Sequence, residues 1–323
     1  MKLKDLDRFN QIVIQVHDNP DADAVGSGFA IYEYFKEKGK DVRLVYSGKN
    51  KLKKSNMLLM LEDLKIPLEY VSELERPELL LTVDCQYEEG NVTYFEAENV
   101  ATIDHHNTGE VSDDMAEIRS QLVSCATICY DMLKEEGFDI NSREDIATAL
   151  YYGLFMDSNE LSEIRHPLER EMLDKLRYDE QLITKFSHAN FTLEEMETAG
   201  LAMLRYNYDE RKRLAVINSK PCDPNILGII GDFVLQVDSI DVCIIYNECH
   251  DGYKLSVRSC IPEVPANELA SHIGGEIGNG GGHLNKAGGF ISIKKFINKY
   301  DNMNIDAYVL GRVESFYDML ESK

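Results

Sequence analysis

The sequence predicts an α/β protein in which a doubly wound, mostly parallel sheet domain is joined by a helical connector to a smaller α/β domain with a mixed sheet. Three observations carry this expectation. Short β-rich runs alternate with helical segments through the first half of the chain. Residues 167–204 then read as continuously helical and charged, without a strand candidate. Beyond them strand-like runs return, interleaved with further helix candidates. A chain of 323 residues agrees with two domains at roughly 150 residues each.

The elements follow in order. "QIVIQV" (11–16), "VRLVY" (42–46), "ELLLTV" (78–83) and "NVATI" (99–103) are β-rich runs short enough for strands. Between the first two, residues 24–39 place apolar side chains at helical spacing and stop at Gly39, a C-cap signal. Further helices are expected at 121–136 and 143–156. Strands separated by helices need crossover connections, hence a parallel sheet covered by helices. In the second half "RLAVIN", "DVCIIYN", "YKLSVRS" and "GGFISI" are strand candidates, with helices expected at 224–237 and 266–273. The expected divisions are a catalytic domain at 1–180, a connector at 181–204 and a second domain at 205–323.

Composition narrows the function classes. Hydrophobic residues at 44% and charged residues at 28% fit an ordinary globular protein. The 57 acidic side chains outnumber 34 basic ones, leaving a formal net charge of −23. Such a surface repels long nucleic acids, whose binding depends on Lys and Arg neutralising phosphates. An anionic substrate should therefore be short and held in a local pocket. The seven cysteines (85, 125, 129, 222, 243, 249 and 260) form no close repeated CxxC pair, and most lie in apolar runs. Buried free thiols suit a reducing cytosol. The N-terminal apolar run is too short for a signal peptide, and no run approaches the ~18 residues of a membrane span. A cytoplasmic protein with no membrane partner is expected.

Three first-domain strands run into chemistry-bearing residues. "QIVIQV" leads to His17, Asp21 and Asp23 in "VHDNPDADAVGSG"; "LLLTV" leads to Asp84; "NVATI" leads to Asp104, His105 and His106. Ligands of an open parallel sheet bind at the carboxyl ends of its strands, so these side chains should converge on one crevice. Asp157, in "GLFMDSNE", follows a helix and could close the same site. Singly, an Asp after a strand is commonly a cap or turn former, and a His-His pair a solvated loop. Four such clusters at four element ends shift the balance. Several ionised carboxylates cannot share a dry pocket without raised pKa values and protonation, a conflict that divalent cations remove. Carboxylate and imidazole without thiolate favour manganese or magnesium over structural zinc. A carboxylate such as Asp84 can bridge two ions, and a two-metal site clamps a phosphoryl group for in-line displacement.

"HDNPDADAVGS", "VDC", "DHH" and "GLFMDS", in this order, resemble the four motifs of the DHH phosphoesterases, a superfamily that includes manganese-dependent inorganic pyrophosphatases. "VRSC" followed by "NGGGHLNKAGGF" is similar to the glycine-rich signature of the associated C-terminal domain. The layout most resembles bacterial nano-RNases and 3′-phosphoadenosine 5′-phosphate phosphatases. The resemblance implies two Mn2+ (or Mg2+), one held by His17, Asp21 and Asp84, the other by Asp23, Asp84, His105 and Asp157. It implies that Asp104 orients the histidines, that His106 faces the substrate, and that Asn19 orients ligands or bonds a phosphate oxygen. Gly26 and Ser27 would let the helix start close beneath the site. Asp157-Ser158-Asn159 departs from the family's usual Asp-Thr-Gly.

In the second domain the triple glycine lets backbone amides approach an anion, and His283 and Lys286 add hydrogen bonds and charge. By itself such a segment is more often a simple turn; the resemblance strengthens a grip formed by Arg258, Gly281, Gly282 and His283 across a cleft between the domains. The activity implied is manganese-dependent hydrolysis of short oligonucleotides from the 3′ end, or of 3′-phosphoadenosine 5′-phosphate. Alternatives are a cyclic- or linear-dinucleotide phosphodiesterase, removal of terminal phosphate from polyphosphate or pyrophosphate, and a non-catalytic nucleotide sensor. The resemblance also implies a homodimer paired through the N-terminal domain.

Overall fold

The computed structural model describes residues 1–106, 115–189, 192–222, 224–300 and 303–322. The chain divides into two compact units, Met1–Asn190 and Phe191–Lys323.

Unit 1 runs β1 (Gln11–Gln15), α1 (Ala22–Glu37), β2 (Asp41–Tyr46), α2 (Ser55–Asp63), β3 (Leu68–Tyr70), β4 (Leu79–Val83), β5 (Asn99–Asp104), β6 (Ala116–Ile118), α3 (Cys125–Glu135), α4 (Glu144–Asp157), α5 (Pro167–Lys175) and α6 (Glu180–Ser187). The sheet order is β3-β2-β1-β4-β5-β6, and every pairing is parallel. The strand order reverses between β1 and β4, the point where an open sheet leaves a crevice at its carboxyl edge. Alternation along β1 divides its side chains: Ile12, Ile14 and Val16 enter the helix-packed core, whereas Val13 meets Val45, Leu80, Val71 and Phe95 on the other face.

Helix α1 begins at Ala22 because Asp21 caps it, accepting the amides of Asp23 and Ala24 at 3.1 Å each. Gly26 and Ser27 lie in its first two turns, inside the helix expected from Ala24. The role of Gly26 is close approach. A Cβ there would stand 2.4 Å from the carbonyl oxygen of Ala149, and one on Gly153 would stand 3.0 Å from the Asp23 Cα. The missing side chains let α1 and α4 cross closely, which brings Asp23 near Asp157. Gly26→Ala should cost roughly 1–3 kcal/mol, since the obstructing atom is backbone and cannot rotate away. An unchanged denaturation midpoint would refute this account of the crossing.

The helix expected at 121–136 starts only at Cys125, where Ser124 caps it by accepting the Thr127 amide at 3.3 Å. Residues 167–204 are not one continuous helical stretch. Asp179 caps α6, and Thr192 forms a capping box with Glu195 at the next helix, so the sequence carries two internal start signals. Helix α6 buries Ile183 and Phe186 in the unit 1 core.

Unit 2 comprises α7 (Leu193–Met203), β7 (Tyr206–Asp209), β8 (Leu214–Ser219), α8 (Pro224–Val234), β9 (Val242–Cys249), β10 (Gly252–Ser259), α9 (Ala266–Gly274), β11 (Gly278–Gly282), β12 (Lys286–Ser292), α10 (Ile293–Lys299) and α11 (Ile305–Glu321). Its sheet, ordered β11-β12-β10-β9-β8-β7, is mixed: β8 and β9 are parallel across the α8 crossover, and the other pairs are antiparallel. Leu255 and Val257 of β10 share a core with α9 and α11, whereas Cys243 and Ile245 of β9 pack with α7 and α8 on the opposite face. The glycine-rich run expected as a loop is in part the edge strand β11. Among the described residues, no helix is long and apolar enough to cross a membrane.

Candidate metal centre

The switch point of the unit 1 sheet gathers the sequence-predicted ligands. His17 follows β1 and its Nε2 lies 3.6 Å from Asp21 Oδ2 and 3.7 Å from Asp84 Oδ2. His105 follows β5, with its Nε2 3.4 Å from Asp84 Oδ1, 3.4 Å from Asp157 Oδ2 and 3.9 Å from Asp23 Oδ2. These side chains make two groups, His17–Asp21–Asp84 and Asp23–His105–Asp157, linked by a third, Asp84–His105–His106, that shares a residue with each. Donor atoms about 2.1 Å from a common divalent ion stand roughly 3.0–3.6 Å apart, a spacing close to the one seen here.

Two atoms test the fit of a cation directly. Among the described residues, Asp84 Oδ1 and His105 Nε2 are buried without a hydrogen-bond partner, a costly condition for polar atoms. The tautomer of His105 is also suitable. Its Nδ1 faces the carbonyl oxygen of Leu122 at 3.3 Å and can only donate there, leaving the Nε2 lone pair aimed at the carboxylates. The residues present therefore fit a divalent cation.

The electrostatics agree. Burial, then the charges of Asp23, Asp21 and Asp104, push the Asp84 carboxyl well above the ordinary range. Burial and the neighbouring carboxylates do the same to Asp157, and burial raises Asp23. Burial would also raise Asp21, but the His17 hydrogen bond and charge, the Ala24 amide and Lys54 together hold it well below. His105 is lowered by burial yet raised on balance by Asp23, Asp157 and Asp104. Without a cation, protons must supply the missing positive charge.

Among the supporting contacts, an orienting role was expected for Asp104, but not those of Gln86 and Leu122. Asp104 resists the rise that burial imposes because His106 and Gln86 hydrogen-bond it: its Oδ1 accepts from the His106 ring Nδ1 at 2.8 Å and from the His105 amide, also at 2.8 Å. Its side chain thus orients the His106 ring, while Leu122 sets the ring of His105. Gln86 donates to Asp104 Oδ2 at 2.8 Å and to the His106 carbonyl at 3.0 Å. Its only sequence signal was a polar residue just after "VDC". Asp18 points away from the cluster and accepts from the Thr93 amide and hydroxyl, both at 2.8 Å. Asn19 is exposed in the intervening loop. Backbone geometry explains the departure at Asp157-Ser158-Asn159: Asn159 has φ +52°, and Asn tolerates that left-handed conformation best after glycine. His166 caps α5 through its ring.

The second set of predicted residues lies at one end of the unit 2 sheet. Arg258 on β10 is in register with Lys286 on β12, and the His283 amide donates to the Lys286 carbonyl at 2.8 Å. Arg258 Nε donates to Asp232 Oδ1 at 2.6 Å, and its Nη1 donates to Ser256 Oγ at 3.1 Å. Of the three glycines, Gly280 is pressed against the Ala270 carbonyl and Gly282 has φ +139°, whereas a Cβ on Gly281 would enter open space. Packing gives no reason for glycine at 281.

Residues 11–154 match the model described as "DHH family, N-terminal domain". Unit 1 is therefore similar to the DHH-family N-terminal domain over those residues, and its His–Asp cluster is consistent with a divalent-metal site of a hydrolase within it. Among particular proteins, the chain is 23% identical over 316 residues to the "Bifunctional oligoribonuclease and PAP phosphatase NrnA" of Mycoplasma genitalium, covering 90% of this chain and 91% of that one. It is 22% identical over 288 residues to an uncharacterized protein of Methanocaldococcus jannaschii; that match covers 88% of this chain but only 59% of the relative. The crystal structure of an exopolyphosphatase-related protein from Bacteroides fragilis superposes with TM-score 0.74 at 17% identity, covering 98% of this chain and 96% of that one.

Proposed function

We propose that this protein is a manganese-dependent phosphoesterase that hydrolyses short oligonucleotides from the 3′ end or 3′-phosphoadenosine 5′-phosphate. The observation that carries the reading is the pair of orphaned buried donors, Asp84 Oδ1 and His105 Nε2, set among three further carboxylates and His17 at the sheet's switch point. His17, Asp21 and Asp84 would hold one ion; Asp23, Asp84, His105 and Asp157 the other. Bound there, divalent ions supply positive charge to a phosphoryl group and make water a competent nucleophile. The name of the full-length Mycoplasma relative supports this substrate class.

The chain's own residues then divide the work. Asp104, held by Gln86, fixes the His106 ring so that it can stabilise charge on the phosphoryl group or protonate the leaving oxygen. Asn19 binds a phosphate oxygen. Arg258, Gly281, Gly282 and His283 grip the distal part of the substrate. The strongly acidic composition disfavours long polyanions and so favours short substrates.

Purified protein with Mn2+ should turn over a dinucleotide or 3′-phosphoadenosine 5′-phosphate faster than a long oligomer, a cyclic dinucleotide or polyphosphate. Rates independent of chain length, or a preference for polyphosphate, would displace the proposal. His106→Ala should chiefly lower kcat and Arg258→Ala chiefly raise KM; equal effects on both parameters in both variants would refute this division of labour.

A further inference from the structure

The loop between β2 and α2 reads "SGKNKLKKS" and carries Lys49, Lys51, Lys53 and Lys54 in a protein whose acids far outnumber its bases. Elsewhere in unit 1 several basic side chains are answered by acids: Lys38 pairs with Asp7, Arg43 with Glu69, Arg119 with Asp131 and Lys185 with Asp63. Among the described residues none of the four loop lysines has an ion-pair partner, and Lys51 instead lies 5.3 Å over the Tyr70 ring. Lys49, Lys51 and Lys53 are exposed.

The loop is held in place despite lacking regular structure. Tyr70 donates to the Gly48 carbonyl at 2.8 Å, and the Leu52 amide donates to the Tyr46 hydroxyl at 3.0 Å. A Cβ on Gly48 would stand 2.7 Å from the Asp18 Cβ, so the loop rests on the segment that carries His17 and Asp21. At its far end, Asn56 donates to the Tyr152 hydroxyl at 3.0 Å, on the helix that ends in Asp157. Because β1 and β2 are adjacent and parallel, the loop leaves the sheet at the edge where the metal candidates gather. Lys54 is near enough for its charge to act on the Asp21 carboxylate.

Like charges at such spacing repel one another, and among the described residues no acid forms an ion pair with them. The metal-site carboxylates could serve as counter-charge, but divalent ions balancing Asp21, Asp23, Asp84 and Asp157 would leave the rim net positive. A fixed positive rim beside a phosphoryl site concentrates anions locally even on an acidic protein. We propose that the β2–α2 lysines bind a second phosphate of the substrate, adjoining the one that is hydrolysed, so that the site selects compounds bearing two phosphates over otherwise identical compounds bearing one. The inference rests on the phosphoesterase reading and specifies which feature of the substrate that site measures.

The test compares Lys49→Gln, Lys51→Gln and Lys53→Gln combined, and the same positions changed to Glu, with the wild type. Exposed substitutions of this kind usually alter stability little. Substrates are adenosine 3′,5′-bisphosphate against adenosine 3′-monophosphate, and diadenylate with against without its 5′-phosphate. The Gln variant should lose roughly 10-fold in kcat/KM on the doubly phosphorylated member of each pair, the Glu variant more, and neither should change much on the other member. Equal losses on both members, or none on either, overturn the rim. Calorimetric binding of adenosine 3′,5′-bisphosphate, which needs no turnover, forms a separate arm. If the wild type hydrolyses nothing, the phosphoesterase reading fails; the rim fails on its own if the Glu variant binds the bisphosphate as tightly as the wild type.

Discussion

Asp84→Asn should abolish phosphoesterase turnover while making the metal-free protein more stable. The carboxylate is buried, its Oδ1 has no hydrogen-bond partner, and burial with the charges of Asp23, Asp21 and Asp104 pushes its pKa well above the ordinary range. Asparagine has the same shape and tolerates the residue's φ of +59°; alanine would add backbone strain and confuse the result. Between the ordinary carboxylate pKa and the raised folded value, the folded chain holds more protons than the unfolded one. Stability conferred by the Asp84 proton is therefore complete at low pH and lost as pH rises through the folded pKa. The variant lacks this loss, so its advantage over metal-free wild type should widen with pH, reaching roughly 1–3 kcal/mol. Adding Mn2+ should reverse the order, since only the wild type gains a tightly held ion. Turnover should fall at least about 1,000-fold, because loss even of a group that merely orients a metal ligand costs roughly 10–100-fold. Thermal unfolding with and without Mn2+ across this pH range decides the matter. A wild type that gains nothing from Mn2+ would remove the metal centre.

Asp23→Ala should damage both activity and fold, and Asp23→Asn should separate the two. The Asp23 carboxylate accepts the Cys125 amide at 2.6 Å and the Ala126 amide at 2.8 Å, with the Ser27 hydroxyl at 3.4 Å. One residue of α1 thereby satisfies the first turn of α3 across about a hundred positions of sequence, and its charge suits that helix terminus. Alanine leaves two buried amides without acceptors, a loss of about 2–4 kcal/mol. Asparagine keeps one acceptor oxygen but turns its amide nitrogen, a donor, towards the other backbone amide, so it should recover only part of that stability and provides no charged metal donor. Denaturation midpoints should therefore rank wild type, Asn, Ala, while Mn2+-dependent stabilisation drops in both variants. If Ala leaves the denaturation midpoint unchanged, the carboxylate is not acting as the α3 cap.

Both predictions concern residues whose positions were evident in the sequence but whose second duties were not. That His17, Asp84, Asp104 and His105 would share a crevice followed from their places after three parallel strands, since side chains at the carboxyl edge of one sheet have little choice of neighbourhood. The contact of Asp23 with α3, the Gln86 bond to Asp104 and the Leu122 carbonyl behind His105 had no such warrant. Each joins residues that are far apart in sequence or adds a partner that no periodicity marks. The helical pattern expected over 167–204 is present as three helices rather than one run, because apolar spacing marks no break where the caps at Asp179 and Thr192 restart the chain.

By itself the sequence determined the alternation of strands and helices, the order of the ligand-bearing motifs and a charge unfavourable to long polyanions. These are local or additive properties, and the period of apolar residues or a simple count exposes them. Tertiary structure alone decided that α1 and α4 meet backbone to backbone at Gly26, that among the described residues Asp84 Oδ1 and His105 Nε2 are left facing each other without partners, and that the β2–α2 loop rests on Asp18 beside His17. Those outcomes depend on which distant surfaces exclude water together, and packing fixes them only when the whole unit closes.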